Sequence, residues 1–193
     1  MCIRDSYYMP QTWTSDDSDA AERLRIQYGT SIVYPYSSMG AHVSAVPNHQ
    51  IGRITSFEMR CDVALPGQFG FELDLNKCTD HELEIAKKKV REYRELQEVF
   101  HKGDCYRLKS PFETDLSAVE FVSEDKKTAV VCINSYKATA YSPDEFIKPQ
   151  GLCENATYRI GENSYDGKYL MNYGIVFRND REIKSEIIVM RAE

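Results

Sequence analysis

The chain has 193 residues, of which 42% are apolar, 28% charged and 11% aromatic, enough to bury a core in one or two small domains and unlike the composition of a disordered chain. Thirty acidic residues against 24 basic ones give a net charge of −6, and no Lys/Arg run is interleaved with aromatics, so no nucleic acid partner is expected. The apolar runs are a few residues long, far below the ~18 of a membrane span, so no membrane partner is expected either.

Residues 1–6 (MCIRDS) have neither the apolar run of a signal peptide nor the Arg/Ser-rich pattern of a transit peptide, and are expected to be a non-native remnant. Residues 7–13 are aromatic and β-prone, a predicted strand that runs into a polar cluster at residues 14–19. A helix should start there. Asp19 and Glu22 are spaced as a capping box, Ala20, Leu24 and Tyr28 recur at helical spacing, and Gly29 follows as the expected C-cap. Residues 31–34 form a second β-prone run, and residues 37–44 are small and apolar enough for a buried parallel strand. The strand, helix, strand order implies an α/β layer or barrel, whose active residues lie where strands end in loops. Asp16 and the loop at residues 46–53 occupy such positions.

Thr79 and Glu82 make a second capping box, followed by Leu83, Ala86, Val90, Tyr93 and Phe100 on one face of a predicted helix that ends at Lys102 and Gly103. Beyond it the texture is β: runs at residues 105–108, 118–123, 128–135, 157–160, 169–177 and 186–190, separated by turn-rich gaps at 123–127 and 166–167, predict an antiparallel β-sandwich. The domains expected are therefore 7–102 and 103–193. Alternation should turn Val119, Phe121, Val130, Cys132, Ile160, Ile187 and Val189 inward and leave Glu120 and Lys184 in solvent. Cys2, Cys61, Cys78, Cys105, Cys132 and Cys153 lack metal-ligand or Cys-x-x-Cys spacing, so no metal and no cofactor is expected; their even count allows three disulfides, but wide irregular spacing in a chain this long favours free thiols of a reducing, cytoplasmic compartment.

The candidate for chemistry is Trp13-Thr14-Ser15-Asp16-Asp17. An aromatic face packs on the apolar side of a pyranose ring, and neighbouring carboxylates bind hydroxyls or move protons at a glycosidic oxygen. Spacing alone also fits ordinary helix capping by Ser and Asp.

Resemblance adds weight to the sugar reading. Tyr7-Tyr8-Met9-Pro10-Gln11-Thr12-Trp13-Thr14-Ser15-Asp16-Asp17, Glu22-Arg23-Leu24, Ile26 to Ser31, Ser38-Met39-Gly40-Ala41-His42-Val43-Ser44 with Pro47-Asn48-His49-Gln50 and Gly52-Arg53, and Phe69 to Leu75 resemble, in order and separation, α-galactosidases of glycoside hydrolase family 36. The resemblance implies the last part of a (β/α)8 TIM barrel followed by a C-terminal β-sandwich. It also implies a retaining mechanism through a covalent galactosyl-enzyme intermediate. It places the general acid/base on Asp16, with Asp17 the alternative, and makes Trp13 and Asp17 substrate-binding residues. The family's nucleophile lies in a Lys-Trp-Asp triplet that this sequence does not contain, so the chain is expected to be a partial enzyme, inactive alone. His42 and His49 are expected to order the loops or wall the pocket, because a retaining mechanism needs no imidazole. Ser56 and Cys61 depart from the family pattern away from Asp16.

The partner implied is an α-galactoside oligosaccharide, and the resemblance leaves room for a homo-oligomer of the full-length enzyme. Two other classes stay open. A carbohydrate-binding module would need a flat exposed row among Tyr136, Tyr141, Tyr165, Tyr169 and Tyr173, and a purely structural sandwich would place no titratable cluster in a pocket.

Overall fold

In a computed structural model of the chain, the described residues are 7–137, 143–180 and 183–193. The expected remnant at residues 1–6, which includes Cys2, lies outside them, as does Tyr141. The chain forms two compact units, Met1–Gln97 and Glu98–Glu193. No helix among the described residues is long and apolar enough to cross a membrane.

The first unit is α/β. Helix α1 (Ala20–Thr30) starts where the sequence predicts: Asp19 is extended and its carboxylate accepts from the Glu22 amide at 3.0 Å, satisfying one of the amides that a helix start leaves bare. It ends later than predicted. Gly29 stays helical, and Ser31 closes the last turn, its amide donating to the Gln27 carbonyl at 2.9 Å and its hydroxyl to the Tyr28 carbonyl at 2.7 Å. The β-prone run at residues 31–34 is a turn instead of a strand. The amides of Val33 and Tyr34 both donate to the Thr30 carbonyl, so local hydrogen bonding overrides β-branched propensity. The strand predicted at residues 7–13 shrinks to a single parallel bridge between Thr12 and Met39; Pro10 has no amide hydrogen to extend a ladder.

Strands β1 (Gly40–Ser44) and β2 (Gln68–Glu72) pair in parallel, Gly40 opposite Gln68 and Ser44 opposite Glu72. Helix α2 (Phe57–Ala64), capped by the Ser56 hydroxyl, makes the crossover between them. Ala41 and Val43 are fully buried and pack with Phe57, Cys61 and Ala64 of α2 and with Ala86 of α3 (Asp80–Lys102). Strand alternation turns Gly40, His42 and Ser44 to the opposite face. The predicted capping box of α3 is present in both directions: the Thr79 amide donates to Glu82 Oε2 at 2.9 Å and the Glu82 amide to Thr79 Oγ1 at 3.2 Å.

The second unit is a six-stranded antiparallel sheet in the order β3-β4-β5-β10-β7-β8, with a separate β6-β9 pair. The strands are β3 (Asp104–Lys109), β4 (Leu116–Val122), β5 (Thr128–Ser135), β6 (Glu145–Ile147), β7 (Thr157–Ile160), β8 (Asn163–Asp166), β9 (Ile175–Phe177) and β10 (Lys184–Ala192). Ala118, Val122, Ala129, Val131, Ile133, Ile188 and Met190 of the sheet share one core with Ile147 of β6, Phe177 of β9 and Leu170.

That core has the parity opposite to the predicted one. Val119, Phe121, Val130 and Cys132 are buried, but on the other face of the sheet, where Phe100 meets Phe121 edge to face at 5.2 Å between ring centroids. Ile160, Ile187 and Val189 are only half-buried, and Glu120, predicted to face solvent, is wholly buried. Both faces of β4 and β5 are covered, so alternation could not say which face holds the carboxylate. Lys184 is also drawn in, its ammonium 5.0 Å from the Phe177 ring centre and donating to the Arg178 carbonyl at 2.7 Å.

The strand predicted at residues 169–177 is a helix, α4 (Gly167–Tyr173), followed by Gly174 at φ 88° and then β9. Leu170 points into the core while Tyr169 and Tyr173 are exposed, which is helical spacing. Tyr165, Tyr169 and Tyr173 stack in succession, with ring centres 6.0 and 4.9 Å apart, so each ring covers part of the next and the row is not a flat platform. A methyl group on Gly167 would run into the Cys153 carbonyl oxygen and sit 3.1 Å from the Tyr158 ring. Gly167→Ala is therefore expected to cost ~1–3 kcal/mol, read as a lower urea midpoint; an unchanged midpoint would mean that the Cys153 carbonyl gives way freely.

The five cysteines among the described residues are free thiols, as expected. Burial pushes Cys61 up to about 12 and Cys105 up to about 11, the signature of inert, packed thiols rather than nucleophiles.

Candidate active site

Three neighbouring chain segments end on one rim of the first unit. Trp13 follows the Thr12 bridge, Ser44 closes β1, and Glu72 closes β2. Trp13, Asp16, Ser18, Ser44, Ala45, Pro47, His49 and Glu72 line a cleft of about 380 Å³ there, the position where parallel α/β folds bind ligands. Trp13 is 46% exposed, so its ring can still cover a ligand. Its indole Nε1–H donates to Asp16 Oδ1 at 3.1 Å, and Ser44 Oγ stands 3.5 Å from Glu72 Oε2.

Asp17 is placed differently. Its Oδ1 accepts from the Asp19 amide at 2.9 Å, and its own amide donates to Ser15 Oγ at 3.1 Å, so it holds the turn into α1. It lines a smaller adjoining space of about 10 Å³ with Trp13, Ser18, Arg23, His42, Ser44 and Glu72. The buried Arg23 guanidinium donates to the Gly40 carbonyl at 2.9 Å; burial lowers its pKa from the ordinary value, and Asp17 beside it opposes that.

The loop from Pro47 to Arg53 is tied to the same segment. Asn48 Oδ1 accepts from the amides of Gln50 and Ile51 at 2.9 and 3.0 Å, and its Nδ2 donates to Ser18 Oγ at 3.4 Å. Arg53 pairs with the buried Asp19 carboxylate that caps α1. His49 lines the cleft, while His42 lies beneath Trp13, with ring centres 4.5 Å apart.

Trp13 and Asp16 were named from the sequence; the roles of Arg23, Asn48, Arg53 and Glu72 were not. Their contacts join residues 17 to 34 positions apart, beyond the reach of spacing rules. The available signal was that all four lie inside the blocks that resemble the family.

Comparison with known proteins agrees with that resemblance. The family model described as Melibiase matches residues 5–103, and the one described as Glycosyl hydrolase family 36 C-terminal domain matches residues 116–190. Alpha-galactosidase AgaA of Geobacillus stearothermophilus is 49% identical over 170 residues, which are 88% of this chain and 23% of that protein. The crystal structure of AgaA superposes with a TM-score of 0.95 at 44% identity, over 98% of this chain and 27% of that one. A substituted AgaA in complex with raffinose gives 0.95 at 43% identity, over 98% and 27%. The chain thus spans about a quarter of the length of the relatives it matches.

Proposed function

Because the chain belongs to the Melibiase family, we propose that it is the C-terminal part of a retaining α-galactosidase of glycoside hydrolase family 36. In this reading residues 7–102 complete a (β/α)8 barrel and residues 103–193 form its C-terminal β-sandwich. Its substrate is a raffinose-type oligosaccharide with a terminal α-galactosyl group, as in the raffinose complex of AgaA.

The observation that carries the reading is the Trp13 to Asp16 hydrogen bond at the mouth of the cleft. Asp16 acts as general acid, giving its proton to the glycosidic oxygen as the bond to the anomeric carbon breaks and a nucleophilic carboxylate bonds to that carbon. Asp16 then acts as general base, taking a proton from the water that releases galactose. Trp13 holds the Asp16 carboxyl and covers the sugar, and Asp17 fixes the turn and faces the ligand's hydroxyls. The nucleophile comes from a segment other than these 193 residues, which contain no Lys-Trp-Asp triplet.

The test is a chimera in which residues 7–193 replace the matching segment of the Geobacillus enzyme. The chimera is expected to hydrolyse aryl α-galactosides and raffinose, and the 193-residue chain alone is expected to leave both intact. Turnover by the chain alone at about 1 per second or more, an ordinary enzymatic rate, would overturn the division of labour. A folded but inactive chimera would overturn the assignment itself.

A further inference from the structure

His42 sits in the middle of β1, opposite Gly70 of β2, on the face away from α2. Its imidazole lies 4.5 Å from the Trp13 ring, tilted by 34°. Two glycines make the room for this pair. A methyl group on Gly40 would stand 3.4 Å from both the imidazole Cε1 and the indole Cε3, and one on Gly70 would stand 3.2 Å from the imidazole Cδ2. The slot therefore suits a five-membered ring lying flat against backbone. Nδ1 of that ring is buried and finds no hydrogen-bond partner among the described residues, a cost that a purely packing residue would avoid.

We propose that His42 is a positioning residue for the acid/base: its ring fixes the indole of Trp13 at the angle from which Nε1–H reaches Asp16. Indole has two side-chain torsions, and a ring 46% exposed would otherwise sample rotamers that break the 3.1 Å bond to Asp16. A neutral imidazole does this without placing a cation beside the acid. The charged groups around it are Glu72 from β2 and Arg23 from α1, with Asp17 across the small adjoining space. Burial lowers the imidazole pKa from its ordinary value, Glu72 opposes that, and Arg23 adds to it. The inference rests on the reading of Asp16 as the acid/base, while its test does not need activity.

Trp13 is the single tryptophan of the chain, so one indole N–H resonance reports the contact. In the 193-residue chain, Asp16→Ala is expected to shift that resonance and speed its exchange about 10-fold, the loss of one hydrogen bond to a carboxylate. His42→Ala is expected to give the same shift and the same acceleration with Asp16 intact. An indole resonance unmoved by His42→Ala overturns the proposal. Should that variant fail to fold, the unmodified chain still decides it. Protonating an imidazole stacked on indole quenches its emission, so Trp13 fluorescence must fall on acidification, with a midpoint below the ordinary imidazole value of about 6.5. Constant emission through that range overturns the proposal as well. In the chimera the two readings separate. Loss of acid catalysis at Asp17 rather than Asp16 removes the acid/base assignment and with it the role of His42. Normal Asp16 chemistry with an unmoved indole removes the role of His42 alone.

Discussion

Asp16→Ala in the chimera is expected to lower turnover of raffinose by about 10²–10⁴-fold, the usual contribution of a positioned acid/base. Substrates with very good leaving groups need no proton at the glycosidic oxygen. With these the first step should survive, and the galactosyl-enzyme should accumulate because no base activates water. Azide needs no base. It is therefore expected to restore turnover and to yield α-galactosyl azide, with configuration retained through two inversions. Asp17→Ala should behave otherwise, because Asp17 accepts the Asp19 amide and lies beside Arg23, so its loss should raise KM without azide rescue. Rescue at Asp17 and none at Asp16 would shift the assignment by one residue. A β-galactosyl azide from Asp16→Ala would exclude Asp16 as the acid/base.

The parts of the fold legible in the sequence are those whose cause is local. Thr79 and Glu82 cap each other, Asp19 caps α1, and Ala41 and Val43 give β1 a small, apolar, buried face; each statement needs only a few adjacent residues. What misled was propensity without its setting. Ile32, Val33 and Tyr34 are β-branched or aromatic, yet the amides of residues 31–34 are spent on closing a helix. Residues 169–173 read as a strand, yet Leu170 is buried in the core between exposed Tyr169 and Tyr173 at helical spacing, a pattern that depends on the tertiary core. The site divides the same way. Trp13 and Asp16 are three residues apart and could be read together, whereas the His42 contact exists because Thr12 bridges Met39 and so brings Trp13 over β1. That pairing is tertiary, and no periodicity announces it.

Glu120→Gln is expected to stabilise the chain increasingly as pH rises above about 4 and to change little below it. Glu120 lies on the core face of β4, opposite Val131 of β5. It is fully buried, with Oε2 accepting from the Gln150 amide at 2.6 Å and Oε1 lacking a partner among the described residues. Burial pushes its carboxyl up to about 8, and the Gln150 amide opposes that shift. The unfolded value is about 4.3, so the folded state holds a proton that the unfolded state has lost throughout the interval between them. The sign follows from linkage. Below about pH 4 both states are protonated and the contribution to stability is fully present; from there to about pH 8 it falls by ~1.4 kcal/mol per pH unit, and above that it is gone, a total of roughly 5 kcal/mol. Glutamine keeps the acceptor for Gln150, occupies nearly the same volume and cannot ionise. Urea unfolding of both forms from pH 5 to 9 should therefore give curves that diverge as pH rises, with the variant the more stable at the upper end. Subtracting one curve from the other removes every contribution that the two forms share. Parallel curves would mean that the Glu120 carboxyl ionises within the fold at its ordinary value, and that water or a shift of residues 148–152 reaches it.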